Sequence, residues 1–189
     1  MPVHLIEETA KALDDYASVP ICFVVNVRYR ILAQKSGGGE IALTEVPVNP
    51  PYEYDYDLLD HPSCWRQWDL RTWGFLAAFD GATRVGGAAI AFRTPGLGLL
   101  ESREDLASLW DIRVRPERRG QGVGKLLFEA AKAWARKRGA REMRIETQDI
   151  NVPACRFYAK QGCRLEAAHP GVYERQPEQV QLFWSTRLE

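Results

Sequence analysis

At 189 residues with 46% hydrophobic side chains, the chain is long enough for one domain with a substantial core, and general disorder is excluded. Lys plus Arg and Asp plus Glu number 25 each, so no net charge draws the chain to nucleic acid or to a membrane surface, and electrostatic recognition must be local. No apolar run approaches the roughly 20 residues that span a bilayer.

The first residues, MPVHLIEETAKALDDY, are acidic and polar, unlike a signal peptide. Leu5, Ile6, Ala12 and Leu13 predict a short helix from His4 to Tyr16, closed by Pro20. Ile21 to Ala33 is β-branched and aromatic and reads as a strand. The turn Ser36-Gly37-Gly38-Gly39 and a return strand from Glu40 to Val48 complete a hairpin, which Pro50 and Pro51 should end. From Pro50 to Trp73 the chain is least regular, with a possible short helix over Ser63 to Trp68. Gly74 to Phe79 and Val85 to Phe92 form a second hairpin around Asp80-Gly81. Leu106 to Val114 is the next strand.

Val123, Leu126, Leu127, Ala130, Ala131 and Trp134 then fall at helical spacing, with Gly139 placed to end the helix. Glu142 to Thr147 is a strand, and Pro153 opens a short helix carrying Ala154, Phe157 and Tyr158 and ended by Gly162. Arg164 to Ala168 and Val180 to Thr186 are the last strands. The order predicts an α+β fold around one mixed, mostly antiparallel sheet flanked by helices. Cys22, Cys64, Cys155 and Cys163 lack C-x-x-C spacing, which predicts reduced thiols in a cytoplasmic protein and no metal site. Monomer and homodimer both stay open, since the strand VQLFWST can pair within the fold or with a neighbour.

The stretch from Leu109 to Gly139 carries the strongest chemical signal: a strand, a glycine-rich turn and an amphipathic helix. Gly120, Gly122 and Gly124 let the backbone approach a bulky group. Free N–H groups at the helix start, with Arg118, Arg119 and Lys125 around them, make an anion site. A tight structural turn is the alternative. The P-loop pattern fails, because Arg119 stands where its first glycine should and Leu126 where its Ser or Thr should. The dinucleotide fingerprint fails too, because Gly124 comes one residue early.

The pattern that fits is R-x-x-G-x-G, Arg119 to Gly124, which resembles the acetyl-CoA loop of the GNAT superfamily of N-acetyltransferases. ETQDINVPACRFYAKQGC, Glu146 to Cys163, resembles the other half of that family's cofactor site, with Asn151 and Tyr158 facing the coenzyme. LWDIRV, ETQDINVPACRFY, QLFW and LTEVPVNPPYEYDYD are most similar to the streptothricin acetyltransferases. The likeness spans nearly the whole chain, more diffusely before Gly74. One departure is Cys163, where the wider family usually has Phe.

The resemblance implies one N-acetyltransferase domain over residues 1–189. Residues 1–73 would be a variable part with the substrate-side hairpin and loop, and 74–189 an acetyl-CoA-binding core with a splayed strand pair. It implies that backbone groups of Ile112, Arg113 and Val114 hold the pantetheine arm. Arg119, Gly120, Gln121, Gly122, Val123, Gly124 and Lys125 hold the pyrophosphate, and Asn151, Ala154 and Tyr158 complete the cofactor contacts. It also implies that Tyr158 returns a proton to the CoA thiolate; a phenol near pKa ~10 and a thiol near ~8.5 are close enough for this. Asn151 can cap the helix as well.

An attacking amine near pKa ~10.4 needs a carboxylate to remove its proton. Asp111 is the candidate, although it can equally pair with Arg113. Carboxylates interleaved with aromatics in YEYDYDLLD suit a cationic ligand or a solvated acidic loop. Tyr54, Asp55, Tyr56 and Asp57 are therefore candidate substrate residues, with Trp110 and Glu146 beside them, although Trp110 is core by default. No nucleophilic Ser–His or Cys–His pair stands out, so direct attack by the amine is expected. The favoured substrate is a small cationic amine, a streptothricin-type antibiotic by resemblance. The rivals are a protein or peptide amine acetyltransferase and a non-catalytic acetyl-CoA sensor.

Overall fold

A computed structural model describes residues 2–34 and 41–189. The chain runs through β1 (His4–Glu8), α1 (Leu13–Ala17), β2 (Phe23–Gln34), β3 (Ile41–Tyr54), β4 (Gly74–Asp80), β5 (Thr83–Phe92) and β6 (Leu106–Val114). It continues through α2 (Val123–Lys137), β7 (Glu142–Gln148), α3 (Val152–Lys160), β8 (Arg164–Pro170) and β9 (Val180–Arg187). The architecture is the expected α+β one. The predicted turn at Ser36 to Gly39 lies outside the described residues. The chain divides into two compact units.

The first unit comprises Met1–Cys22, Asp55–Met143 and Arg187–Glu189. Its strands lie in the order β1-β4-β5-β6, each neighbour antiparallel. β5 is buried along nearly its whole length, because both faces of the sheet are covered. On one face packs α2, through Val123, Leu127, Phe128, Ala131, Trp134 and Ala135. A Cβ at Gly74 would fall inside the Trp134 indole, so the strand must be bare there. On the other face Leu13, Tyr16, Trp65, Trp73 and Phe75 form an aromatic-rich core with Leu97, Leu100 and Leu106. A Cβ at Gly87 would lie 2.5 Å from the Tyr16 ring. Glycines on adjacent β5 positions thus admit one large neighbour per face: a Cβ at Gly86 would stand 3.0 Å from Leu127.

The second unit comprises Phe23–Tyr54 and Arg144–Thr186. It holds the β2–β3 hairpin and the order β7-β9-β8, with β8 and β9 antiparallel. Its anchor is Asp149, fully buried. The Asp149 carboxylate accepts from the Val180 N–H at 2.7 Å and from Arg28 Nε at 2.7 Å. Its own carbonyl accepts from the Tyr29 N–H at 2.9 Å.

Three local expectations need correction. His4–Glu8 is a strand, paired from His4↔Phe79 to Glu8↔Phe75. Five residues gain a full ladder against β4, which outweighs any helical preference so short a segment can express. β3 does not stop at Pro50-Pro51 but continues to Tyr54. The prolines fall in a register shift, between Val27↔Pro47 and Val25↔Tyr52, where no ladder N–H is demanded of them. On α2, Phe128 and Ala135 are buried while Leu126 is 39% exposed, so the buried face is rotated from the predicted one.

Candidate active site

The glycine loop follows β6 as expected. Pro116–Arg118 makes one 3-10 turn, then Gly120 (φ 74) and Gly122 (φ 87) take left-handed conformations. A β-carbon at either would meet nothing within 4 Å, so the backbone here borders open space. Gly122 is the N-cap of α2, and no side chain caps that end. Leu126 N–H donates back to Gly122 O at 3.0 Å, leaving the amides of the preceding turn aimed outwards along the helix dipole. The arrangement suits a phosphate held by backbone N–H groups.

The flanking arginines are more committed than the sequence suggests. Arg118 is ion-paired with Asp80 and donates to Gln121 Oε1 at 3.1 Å. Arg119 donates to the carbonyls of Val114 and Cys22, each at 3.0 Å. It ties the loop to the end of β6 and to the N-terminal segment. Lys125 is exposed at the helix start.

Upstream on β6, Ile112, Arg113 and Val114 pair with Ala88, Gly87 and Gly86 of β5. The Arg113 side chain turns inward and is 2% exposed. Nε and Nη2 donate to the two oxygens of Asp111, each at 2.9 Å. Nη1 and Nη2 donate to Asp57 at 3.2 and 3.1 Å, and Nη1 to Val19 O at 3.0 Å. All five guanidinium donors are thereby used, and the group lies over the Tyr16 ring at 5.0 Å. Burial opposes the Arg113 charge, but the carboxylates of Asp111 and Asp57 outweigh it and hold its pKa above the ordinary range. Tyr16 donates to Asp111 Oδ1 at 2.5 Å, and its phenol is pushed well above the usual value, first by burial and then by the Asp111 charge. Asp111 therefore accepts three hydrogen bonds, two of them from Arg113. The pairing alternative is the geometry observed, in the interior and not on a solvated face.

The acidic segment is likewise tied inward. Tyr54, in the second unit, is buried and donates to Gln176 Oε1 at 2.8 Å. Asp55 caps its own turn by accepting from the Asp57 N–H at 3.0 Å. Tyr56 opens the 3-10 turn Tyr56–Leu58. Trp110 packs its ring 5.4 Å from Trp73.

In the second unit, Asn151 Oδ1 accepts from the Ala154 N–H at 3.1 Å, so Asn151 caps α3 as its sequence position allows. Tyr158, 6% exposed, stacks edgewise on Phe157 at 5.5 Å and beside Trp184 at 6.4 Å. Glu146 Oε1 accepts from Tyr173 at 2.7 Å, and Gln148 donates to the same phenol at 2.9 Å. Burial pushes the Cys155 thiol up to about 12, which removes it as a nucleophile at neutral pH. Tyr16 and Tyr173 were not anticipated: their partners are 95 and 27 residues away, and no local pattern marks such contacts. Among the described residues no helix is long and apolar enough to cross a membrane, and no three His, Cys, Asp or Glu groups gather as a metal would require.

The family model described as "Acetyltransferase (GNAT) family" matches residues 41–163. A streptothricin acetyltransferase of Escherichia coli is 41% identical over 83 residues, which is 42% of this chain and 48% of that protein. One from Streptomyces lavendulae is 30% identical over 137 residues, 69% of this chain and 68% of that protein. The chain thus spans about half the length of the first relative and two thirds of the second. A crystal structure from Bacillus anthracis, assigned as a streptothricin acetyltransferase and solved with acetyl coenzyme A, superposes with a TM-score of 0.79 at 25% identity. The match covers 98% of this chain and 99% of that one. The open glycine loop, the capped α3 and the antiparallel sheet agree with these matches, and the chain belongs to the acetyltransferase (GNAT) family.

Proposed function

We propose that this chain is an acetyl-CoA-dependent N-acetyltransferase, a single catalytic domain working in the cytoplasm on a primary amine of a small cationic molecule. A streptothricin-type antibiotic, acetylated on its β-lysine amine, is the favoured substrate. The observation that carries the reading is the uncapped start of α2 behind Gly120 and Gly122, in a chain of this family. The names of the E. coli and Streptomyces relatives support the substrate, and the acetyl coenzyme A in the Bacillus anthracis structure supports the donor.

In this reading the amides from Gln121 to Lys125 hold the pyrophosphate, with Gly120 and Gly122 setting their direction. Main-chain groups of Ile112, Arg113 and Val114 hold the pantetheine arm, and Asn151 and Ala154 border the cofactor. The amine attacks the acetyl carbonyl directly, the C–S bond breaks, and Tyr158 gives the leaving thiolate its proton. A protonated amine has no lone pair to attack with, so a carboxylate must first take a proton from it. Asp111, with three donors already on its oxygens, serves as the strut that fixes β6 and Asp57. Glu146, Tyr56 and Trp110 are candidate substrate contacts.

An amine panel with acetyl-CoA tests the reading, containing streptothricin, an aminoglycoside, a polyamine and a lysine-bearing peptide. Streptothricin turnover is expected to dominate. Turnover of the peptide alone would transfer the chain to protein acetylation, and acetyl-CoA binding without transfer to any amine would make it a sensor. Tyr158→Phe should lower kcat by about 100-fold or more while the acetyl-CoA Kd stays within about twofold. Unchanged kcat would remove Tyr158 from the mechanism.

A further inference from the structure

We infer that Tyr173 is a positioning residue that holds the Glu146 carboxylate as the seat for an ammonium group of the substrate, an inference that rests on the acetyl-transfer reading above. Alternate residues of β7 share a face. Ile145 and Thr147 are buried, whereas Glu146 and Gln148 lie on the half-buried face. The Tyr173 phenol bridges that second pair. It donates to Glu146 Oε1 at 2.7 Å and accepts from Gln148 Nε2 at 2.9 Å. An ionised carboxylate can only accept and an amide NH2 can only donate, so the hydroxyl proton has one direction, towards Glu146. Gln148 thus sets the polarity of the bridge, and the bridge fixes one carboxylate oxygen.

The charge on Glu146 is what sets it apart in the second unit. Asp149, Glu45 and Glu166 each have an arginine, Arg28, Arg156 and Arg164 respectively. Glu53, Glu174 and Glu178 are exposed and solvated. Glu146 is half-buried, and among the described residues neither a lysine nor an arginine is bonded to it. Its charge is met by a neutral phenol on Oε1, while Oε2 carries no hydrogen bond from the described residues. A carboxylate partly withdrawn from water, aimed by a neutral donor and not neutralised, favours a cationic donor on its second oxygen.

The segment that carries Tyr173, between β8 and β9, is pinned along its length. Gln176 and Gln179 accept from the Tyr54 hydroxyl at 2.8 and 3.4 Å. The Glu178 carbonyl accepts from Arg28 Nη2 at 2.5 Å, and the Val180 N–H donates to Asp149, which also pairs with Arg28. A connection held in this way presents Tyr173 in one place, which a positioning residue requires. β7 runs directly into α3, the helix of Asn151 and Tyr158, so the seat and the proposed acid stand on consecutive elements.

The test is a double-mutant cycle of Glu146→Gln and Tyr173→Phe, with steady-state kinetics on streptothricin and acetyl-CoA. Glu146→Gln keeps an acceptor for the Tyr173 hydroxyl and removes the charge; the streptothricin KM should rise about 30-fold. Tyr173→Phe keeps the ring and removes the hydroxyl; KM should rise about 5- to 10-fold, with kcat and the acetyl-CoA Kd within about twofold of the wild type. The double variant should be no worse than Glu146→Gln, because Tyr173 acts only through that carboxylate. An unchanged streptothricin KM in either single variant overturns the inference, as do additive losses in the double variant or a fall in kcat with KM unmoved. Glu146→Gln reads the seat on its own should Tyr173→Phe not fold. If the wild type acetylates no amine in the panel, the acetyl-transfer reading fails and this inference falls with it; an active wild type with KM unmoved in both variants sinks this inference alone.

Discussion

The loop from Arg118 to Lys125 and the segment from Asp55 to Asp60 are the two most charged-looking stretches near β6, and they use their charge in opposite ways. In the loop, both arginine side chains are tied to the protein, Arg118 to Asp80 and Arg119 to two carbonyls, while Lys125 is exposed and the backbone at Gly120 and Gly122 borders open space. In the acidic segment the backbone is closed into a 3-10 turn and the carboxylates are taken up within the protein, Asp57 by Arg113 and Asp60 by the Trp65 indole. The main-chain dipoles, which glycine makes accessible, are thus the groups left facing outwards, whereas the arginines and carboxylates are spent on holding the fold. A charge visible in a sequence is not a charge on offer to a ligand.

The largest effect expected concerns the strut between the two regions. Arg113→Ala would leave Asp111 and Asp57 without their partner in a buried site, and urea unfolding should report a loss of about 3–5 kcal/mol. A loss under about 1 kcal/mol would mean that the acidic segment is held by something else and that its carboxylates are freer than the geometry indicates. Next in size, Gly122→Ala forces an L-residue into the left-handed region at about 1–2 kcal/mol, although space for the methyl is free. Calorimetry should find acetyl-CoA binding weakened by roughly 5- to 30-fold.

Arg119→Ala should weaken binding less, by about 1 kcal/mol, because its bonds shape the loop. That loss should change little between 50 and 500 mM salt. A larger and strongly salt-dependent loss than in Gly122→Ala would show that side-chain charge, and not backbone geometry, carries phosphate recognition.

Much of the fold and half of the candidate site can be read locally. β6 begins and ends where its apolar run does, and α2 ends at Gly139 (φ 97), as a left-handed C′ residue requires. Asn151 caps α3 three residues before Ala154, a contact within one turn. The failures share a cause of another kind. β1 exists because β4 is there to pair with it, and β3 crosses two prolines because its register slips where they stand. Leu126 and Phe128 exchange places because the sheet, not the helix, decides which side of α2 is covered. The partners that Asp111 shares are equally non-local: Tyr16 is 95 positions away from it, and Asp57 is 56 positions away from Arg113.

The glycine loop, the helix behind it and the cap on α3 are legible in the amino-acid order, and with them the family, since each is set by neighbours within a turn or two. The tertiary structure decided which charges are struts and which remain available. That is a matter of distance and burial between residues far apart in the chain, and a carboxylate is changed by its partners more than by its type.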